Sequence, residues 1–407
     1  MIARWRVPLV LTAALVLAQL LPVLPLSDVV HGLAPRDVRL SWPITHVLLA
    51  PFTLLADWLN GANRAELKGF GLWLLVGYAL ARLLAAPVSF RLKTEVTTAA
   101  CCLLACSLFV WWGARWNRPI PRLVAADSSL LIFDVHSHTS ASHDGRPGFG
   151  SAENARWHGR AGFDAAFITD HNVVGAARQW RVDAPGRAPR LLDGEELSLF
   201  GLHVVALGVS RRIDPAPWSH TFDSTLRLLE SPNDPVGERP YFIASLPEFW
   251  EHHWGADIGR LVDAGVRGFE VMTTSPKAMD FPESGRATLI ARAQGEHLAL
   301  FGATDMHGLG NTAEVWNVTR LVGWRTMSDS ALTRALIERF TAAPDSVRVV
   351  ALTRWSSEAR FAQPFAAPMG VVGALRASSR AHAVSLLVWI WGIALLRTRR
   401  RRASAAA

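Results

Sequence analysis

The chain has 407 residues, of which 50% are hydrophobic and 19% charged, with 17 tryptophans and a formal net charge of +8. That apolar weight is too high for a soluble enzyme alone and fits a chain divided between membrane segments and a globular domain. The basic excess sits beside apolar stretches, at Arg4, Arg6, Arg115, Arg118, Arg122, Arg397 and Arg399 to Arg402, so it argues for anionic headgroups and against stable nucleic-acid binding.

Residues 7–26 form an apolar run of membrane-spanning length after a short basic start. Pro22, Pro25 and the absence of a small-x-small cleavage site argue against a cleaved signal peptide. Residues 43–59 are apolar but carry His46 and Asp57; this stretch spans, re-enters or lies in the interface. Further spans are expected at 69–87 and 97–113, which makes 1–125 an N-terminal membrane region. The three cysteines, Cys101, Cys102 and Cys106, share one apolar segment, so the rest of the chain has neither a disulfide framework nor a thiolate metal site. The NRPIPR stretch at 117–122 reads as a stiff linker.

From Leu130 the pattern changes to short apolar runs separated by Arg- and Ala-rich helical segments. Strands are predicted near 130–135, 165–169, 191–193, 202–208, 241–245, 267–272 and 298–303, with helices near 151–162, 222–231, 255–265, 284–295 and 329–340. This α/β alternation predicts a mainly parallel sheet or barrel over 126–345. A linker follows at 346–380, then an apolar helix at 381–397 and a basic tail at 398–407. The arginines favour a transmembrane stop there over a buried core helix.

Apart from His31, His46 and His382, every histidine lies between residues 136 and 307. In FDVHSHTSASHDG, His136 and His138 stand two apart, and strand geometry puts both imidazoles on one face, where they can grip one ion. Asp144 follows in a glycine-containing turn. Asp170 and His171 end a strand in FITDHN, Glu196 lies in LDGEELS, His203 begins the next strand and Glu270 ends another in GFEVM. FGATDMHG repeats the two-residue spacing with Asp305 and His307. In a β/α barrel such strand ends meet at one rim.

The ordered set HxH, DG, TDH, GxE, a strand histidine and DxH resembles the PHP (polymerase and histidinol phosphatase) family of metal-dependent phosphoesterases over roughly half the chain. The resemblance implies a distorted (β/α)7 TIM-like barrel. It further implies that His136, His138, Glu196 and Asp305 hold one metal, and that Asp144, His171 and His307 hold a neighbour. A third position in many members uses the Glu, a strand His and the His of an AHP motif. Glu196 and His203 match, but Ser245-Leu246-Pro247 puts leucine in place of that histidine, so the expected centre is binuclear with a third ion weak or absent. His252 or His253 is a candidate substitute; otherwise these two and His220 read as ordinary surface residues. Mixed imidazole and carboxylate ligation suits Zn, Mn or Fe.

Asp170 is the candidate to orient a ligand or accept a proton, and His143, beside Asp144, to touch substrate. Asp134 is read as a hydrogen-bond partner of a ligand imidazole, and Glu270 equally as a site carboxylate or an arginine partner. Lys277 and Arg320 are candidates for a phosphate or, more simply, for ion pairs.

The expectation is a membrane-anchored phosphoesterase acting on a small anionic substrate. Alternatives are hydrolysis of non-phosphate esters or carbamates at the same centre, and a non-catalytic metal-binding membrane protein. For orientation, Arg91 and Lys93 favour an extracytoplasmic catalytic domain while Arg115, Arg118 and Arg122 favour a cytoplasmic one. The arginine tail tips the choice to extracytoplasmic in a bacterial-type inner membrane. The oligomeric state is left open.

Overall fold

Runs such as LLIFD, buried along their whole length, form strands because both faces must be covered by other elements. In the computed structural model, which describes residues 5–84, 92–231, 240–278, 280–310, 312–354 and 364–406, these strands are β1 (Leu26–Asp28), β2 (Val38–Ser41), β3 (Arg122–Ala125), β4 (Leu130–Asp134), β5 (Ala165–Ile168), β6 (Arg190–Leu199), β7 (Leu202–Leu207), β8 (Tyr241–Ala244), β9 (Val266–Thr273), β10 (Ala299–Ala303), β11 (Val315–Arg320) and β12 (Arg348–Leu352). Residues 85–87 of one expected span, Arg91, residues 355–363 of the expected linker and residue 407 lie outside the described residues.

The chain divides into two units. One comprises Leu26–Ser41 and Pro121–Leu352, the other Met1–Pro25, Trp42–Ile120 and Thr353–Ala407. The first is mixed α/β around a curled ten-stranded sheet, ordered β1-β12-β11-β4-β5-β6-β7-β8-β9-β10, with β2 and β3 paired separately. Only β4–β5, β5–β6, β8–β9 and β9–β10 are parallel. The other neighbours are antiparallel, which corrects the mainly parallel expectation. The cause between β6 and β7 is local: Phe200 and Gly201 form a two-residue turn with Gly201 at φ +60°, so the chain doubles straight back.

The curl brings the segment after β10 to the segment after β4. An isolated parallel pairing joins Ser137 to Met306. The Asn317 carboxamide donates to the carbonyls of Phe133 (3.2 Å) and Gly302 (2.7 Å) and accepts from Gly302 N–H (2.8 Å). Beneath this seam Phe133, Phe301 and Phe340 pack ring against ring. Each such buried side chain contributes about 1.5–3 kcal/mol. The helix Asp329–Ala342, which carries Phe340, is capped by Ser328, whose Oγ accepts from Ala331 N–H.

β1, β2 and β3 fall within the stretch read as an N-terminal membrane region, and β12 and a helix, Ala366–Ala377, within the stretch read as a linker. The apolar run at 7–26 is helical only over Arg6–Leu20; Pro22 and Pro25 stop the helix and Leu26 enters β1. Fifteen residues rise about 22 Å, short of a bilayer core. Residues 43–59 fall on two helices, Ile44–Leu48 and Ala50–Asn60. Among the described residues, two helices are long and apolar enough to cross a membrane, Lys93–Gly113 and Arg380–Arg399. The helical unit also holds a hydrogen-bonded chain. It runs from Ser379 to His382 (2.7 Å), His46 (2.9 Å), Asp57 (2.8 Å) and Arg118 (2.6 Å), with both imidazoles and the guanidinium buried.

Candidate metal centre

The ends of β4, β5 and β10, together with β6 and β7, deliver eight of the sequence-selected residues to one place. His136 and His138 lie just past β4, where the bonds from Asp305 N–H to His136 O (3.0 Å) and from His138 N–H to Met306 O (2.9 Å) tie them to the DxH segment. Nε2 of His136 and Nε2 of His138 are 3.0 Å apart. Asp305 Oδ1 lies 3.5 and 3.1 Å from them, and Glu196 Oε2 3.1 and 3.2 Å. Ligand atoms bound to one ion at roughly 2.0–2.2 Å stand about 3–3.5 Å from one another, which is the spacing seen here. Asp305 reaches this position through a left-handed backbone, φ +47°, a conformation costing on the order of 1 kcal/mol outside glycine.

Next to this group Asp144 Oδ2 lies 3.3 Å from His171 Nε2 and 3.2 Å from His307 Nε2. Asp144 is carried by a tight turn in which Gly145 passes so close to Thr139 that a Cβ would stand 1.9 Å from its carbonyl oxygen. His307 Nδ1 faces the Asp305 carbonyl at 2.8 Å, which fixes the ring so that Nε2 points inward. A third set joins His171, Glu196 and His203. Glu196 Oε1 lies 2.8 Å from His203 Nδ1, and Glu196 Oε2 lies 3.2 Å from His171 Nδ1, which also meets Ser198 Oγ at 3.1 Å.

Glu196 is the test of whether these residues fit a metal. Both its oxygens are fully buried, and although four imidazole nitrogens stand within 3.2 Å, none meets it with hydrogen-bond geometry. Buried His307 Nε2 is likewise without a hydrogen bond. A buried carboxylate crowded by four imidazoles that direct no well-formed hydrogen bond at it is costly unless a cation lies among them. The donor set therefore fits divalent metal.

The electrostatics agree. Burial disfavours charge on His136 and His138, but Glu196, Asp305 and, for His136, Glu270 outweigh it; His136 is held well above the ordinary imidazole range and His138 is pushed up to about 10. Burial at His203 is similarly overcome by Glu196 and Glu248, and its pKa rises to about 9. At His171 burial prevails over the pull of Glu196, helped by His138 and His203, and the value falls to about 4. Burial also works against charge on Glu196, Asp305 and Asp144, yet the imidazoles hold all three below the usual carboxylate range. Protons thus sit where a cation would displace them.

Several supporting roles differ from the sequence reading. Asp134 does not touch a ligand imidazole. Its Oδ2 meets His158 Nε2 at 3.0 Å and accepts from the Thr304 hydroxyl, so it ties β4 to the end of β10. The ligand partner is Glu270, whose Oε1 is 2.7 Å from His136 Nδ1 while Oε2 accepts from Ser245 Oγ at 2.7 Å. Glu270 binds no arginine there, and burial pushes its carboxyl up. Asp170 spends both oxygens on Thr139, accepting from its N–H (2.6 Å) and hydroxyl (2.8 Å), which pins the loop after His138; burial raises its carboxyl as well. His143 is exposed and stands with its ring 4.8 Å from that of His171. His253 faces Phe200 O and Asp257 and stacks on Phe222, away from the third set. Leu246 is buried in the apolar core. Arg320 pairs with Asp127 at 2.8 Å. His158, buried on the helix Ser151–Ala161, was not singled out from sequence; its signal is weak, since nothing in an Ala-rich helix marks which polar residue turns inward.

No family model and no curated protein matches the chain. Three solved structures resemble it distantly. A provisionally named metal-dependent phosphoesterase from Bifidobacterium adolescentis has 14% identity, covering 44% of this chain and 88% of its own, with a TM-score of 0.33. PsfC from Pseudomonas syringae has 17% identity, with 60% and 98% covered and a TM-score of 0.37. An amidohydrolase from Chromobacterium violaceum has 17% identity, with 47% and 92% covered and a TM-score of 0.30.

Proposed function

We propose that the sheet unit is a metal-dependent hydrolase, in its finer form a PHP-type phosphoesterase acting on a small anionic substrate, and that the helical unit anchors it to a bilayer. The observation that carries this reading is Glu196, a buried carboxylate with no hydrogen bond at the meeting point of four imidazole nitrogens. In this reading the curled sheet is a distorted (β/α)7 barrel whose closing seam is the Ser137–Met306 pairing. His136, His138, Glu196 and Asp305 would hold one divalent ion, of Zn, Mn or Fe, and Asp144, His171 and His307 a second. Such ions, when bound, neutralise an anionic substrate and lower the pKa of a bound water.

The chain's own residues supply the rest. Glu270 keeps the His136 Nδ1 proton and so directs Nε2 inward. Asp170 and Thr139 hold the loop that carries Asp144 and His143, and His143, exposed beside His171, would meet substrate. Lys93–Gly113 and Arg380–Arg399 are proposed membrane helices, and Arg64–Leu84 is a further one, so that Leu26–Ser41 and Pro121–Leu352, which share strand pairings, stay on one side; the arginine tail is then cytoplasmic and the sheet unit extracytoplasmic. Reporter-phosphatase fusions at residues 125 and 404 test that orientation; cytoplasmic signal at 125 defeats it.

The activity test uses the purified full chain with Mn or Zn. It should hydrolyse a generic phosphomonoester or phosphodiester, and His138→Ala should abolish turnover. Turnover of aryl esters with none of phosphoesters would replace the phosphoesterase reading by the broader hydrolase one. Stoichiometric metal without turnover of either would make the domain a non-catalytic metal binder.

A further inference from the structure

The third set of donors is short of a ligand by the family pattern, because Leu246 stands where a histidine is expected and its side chain is turned into the apolar core. Two residues on, the short helix Leu246–Phe249 returns a different donor to the same place. Glu248 Oε2 lies 3.4 Å from His203 Nδ1, and its side chain is only 4% exposed. The same nitrogen faces Glu196 Oε1 at 2.8 Å. One imidazole N–H can satisfy one carboxylate well, not two, so two buried carboxylates share the single charge that His203 can carry, and a second positive charge is wanting. Lys277 does not supply it: its Nζ is 4.0 Å from Glu248 Oε2, on a side chain 59% exposed that lies over the Phe249 ring. The spacings of 2.8 and 3.4 Å match those of atoms sharing one ion.

We infer that Glu248 is a metal ligand, completing with Glu196 and His203 a third cation position in which a carboxylate serves in place of the missing imidazole. This inference rests on the metal-centre reading above. A carboxylate in that place adds negative charge where a histidine adds none, so the third position should favour the harder, oxygen-seeking Mn(II) over Zn(II).

The test is metal stoichiometry of the full chain in detergent, stripped with chelator, titrated with Mn(II), and read by elemental analysis and by the electron paramagnetic resonance of free Mn(II). The wild-type chain should bind three equivalents and Glu248→Gln two, with an unchanged thermal melt in chelator showing that the variant folds. Glu248→His should recover three, and Lys277→Gln should leave three. Equal stoichiometry and affinity in wild type and Glu248→Gln, whether two or three, overturns the role of Glu248 while leaving the metal centre standing. Wild-type chain that binds no metal overturns both.

Discussion

Each unit of the chain buries a histidine network, and the two are built on opposite principles. In the helical unit, Ser379, His382, His46, Asp57 and Arg118 form a line in which both nitrogens of each imidazole and both carboxylate oxygens of Asp57 meet a partner. In the sheet unit, both oxygens of Glu196 and Nε2 of His307 crowd against charged neighbours within 3.2 Å without a formed hydrogen bond. The closed network is satisfied by the protein alone and serves to fix helices. The open one needs something the polypeptide does not provide. Buried histidines therefore do not by themselves mark a metal centre; unsatisfied atoms aimed at a common point do.

The difference is sharpest when one member is removed. Asp57→Ala removes the carboxylate paired with the buried Arg118 guanidinium and should destabilise the full chain by about 3–5 kcal/mol. Its metal content should not change, which elemental analysis beside a denaturant melt would check. The open network should respond to metal instead: Mn(II) at a hundred times its Kd should stabilise by about 2.7 kcal/mol. Glu196→Gln should erase that increment and Asp57→Ala should keep it; a metal-induced rise in melting temperature that survives Glu196→Gln breaks the comparison.

Glu270→Gln probes the orientation of His136 while leaving every proposed ligand in place, and should weaken metal binding about 10- to 100-fold in a competition titration while the apo protein still melts cooperatively. The smallest effect lies outside both networks. Burial raises the carboxyl of Asp164 above its usual 3.8, although it accepts from Ile132 N–H. The folded chain then holds this proton more tightly than the unfolded one, so stability should fall as the pH rises from the ordinary carboxylate value through the raised one. Asp164→Asn should flatten that part of the curve and be the more stable chain at neutral pH, as melts between acidic and neutral pH would show.

The grouping of the candidate site was legible because its residues come in pairs with strand spacing. His136 with His138 and Asp305 with His307 announce themselves, and the structure brings both pairs together with Asp144, His171, Glu196 and His203. The supporting groups were less legible because they depend on which neighbour arrives first. Asp134 precedes His136 by two residues and looks like its natural partner, yet His158 from a helix and Thr304 from the far side of the sheet claim it. Glu270 lies 134 residues from His136 in sequence, and only the curl of the sheet joins them. In the fold, β4 to β10 were readable from their apolar runs, whereas β1, β2 and β3 were hidden in a stretch read as membrane region and linker. β11 and β12 were missed, since Val315–Arg320 places a buried Asn and Thr among its apolar residues and Arg348–Leu352 follows a Pro-containing turn that reads as the end of a domain.

The seam between β4 and β10 has a consequence for how such a centre can change. Where a regular ladder would fix the separation of two strands, here a carboxamide from Asn317 and the Asp134–Thr304 contact share that task with two main-chain bonds. The HxH and DxH pairs face each other directly above it. Replacing Asn317 with a longer or shorter side chain would change the separation of the two pairs while every candidate metal-binding residue stayed in the sequence.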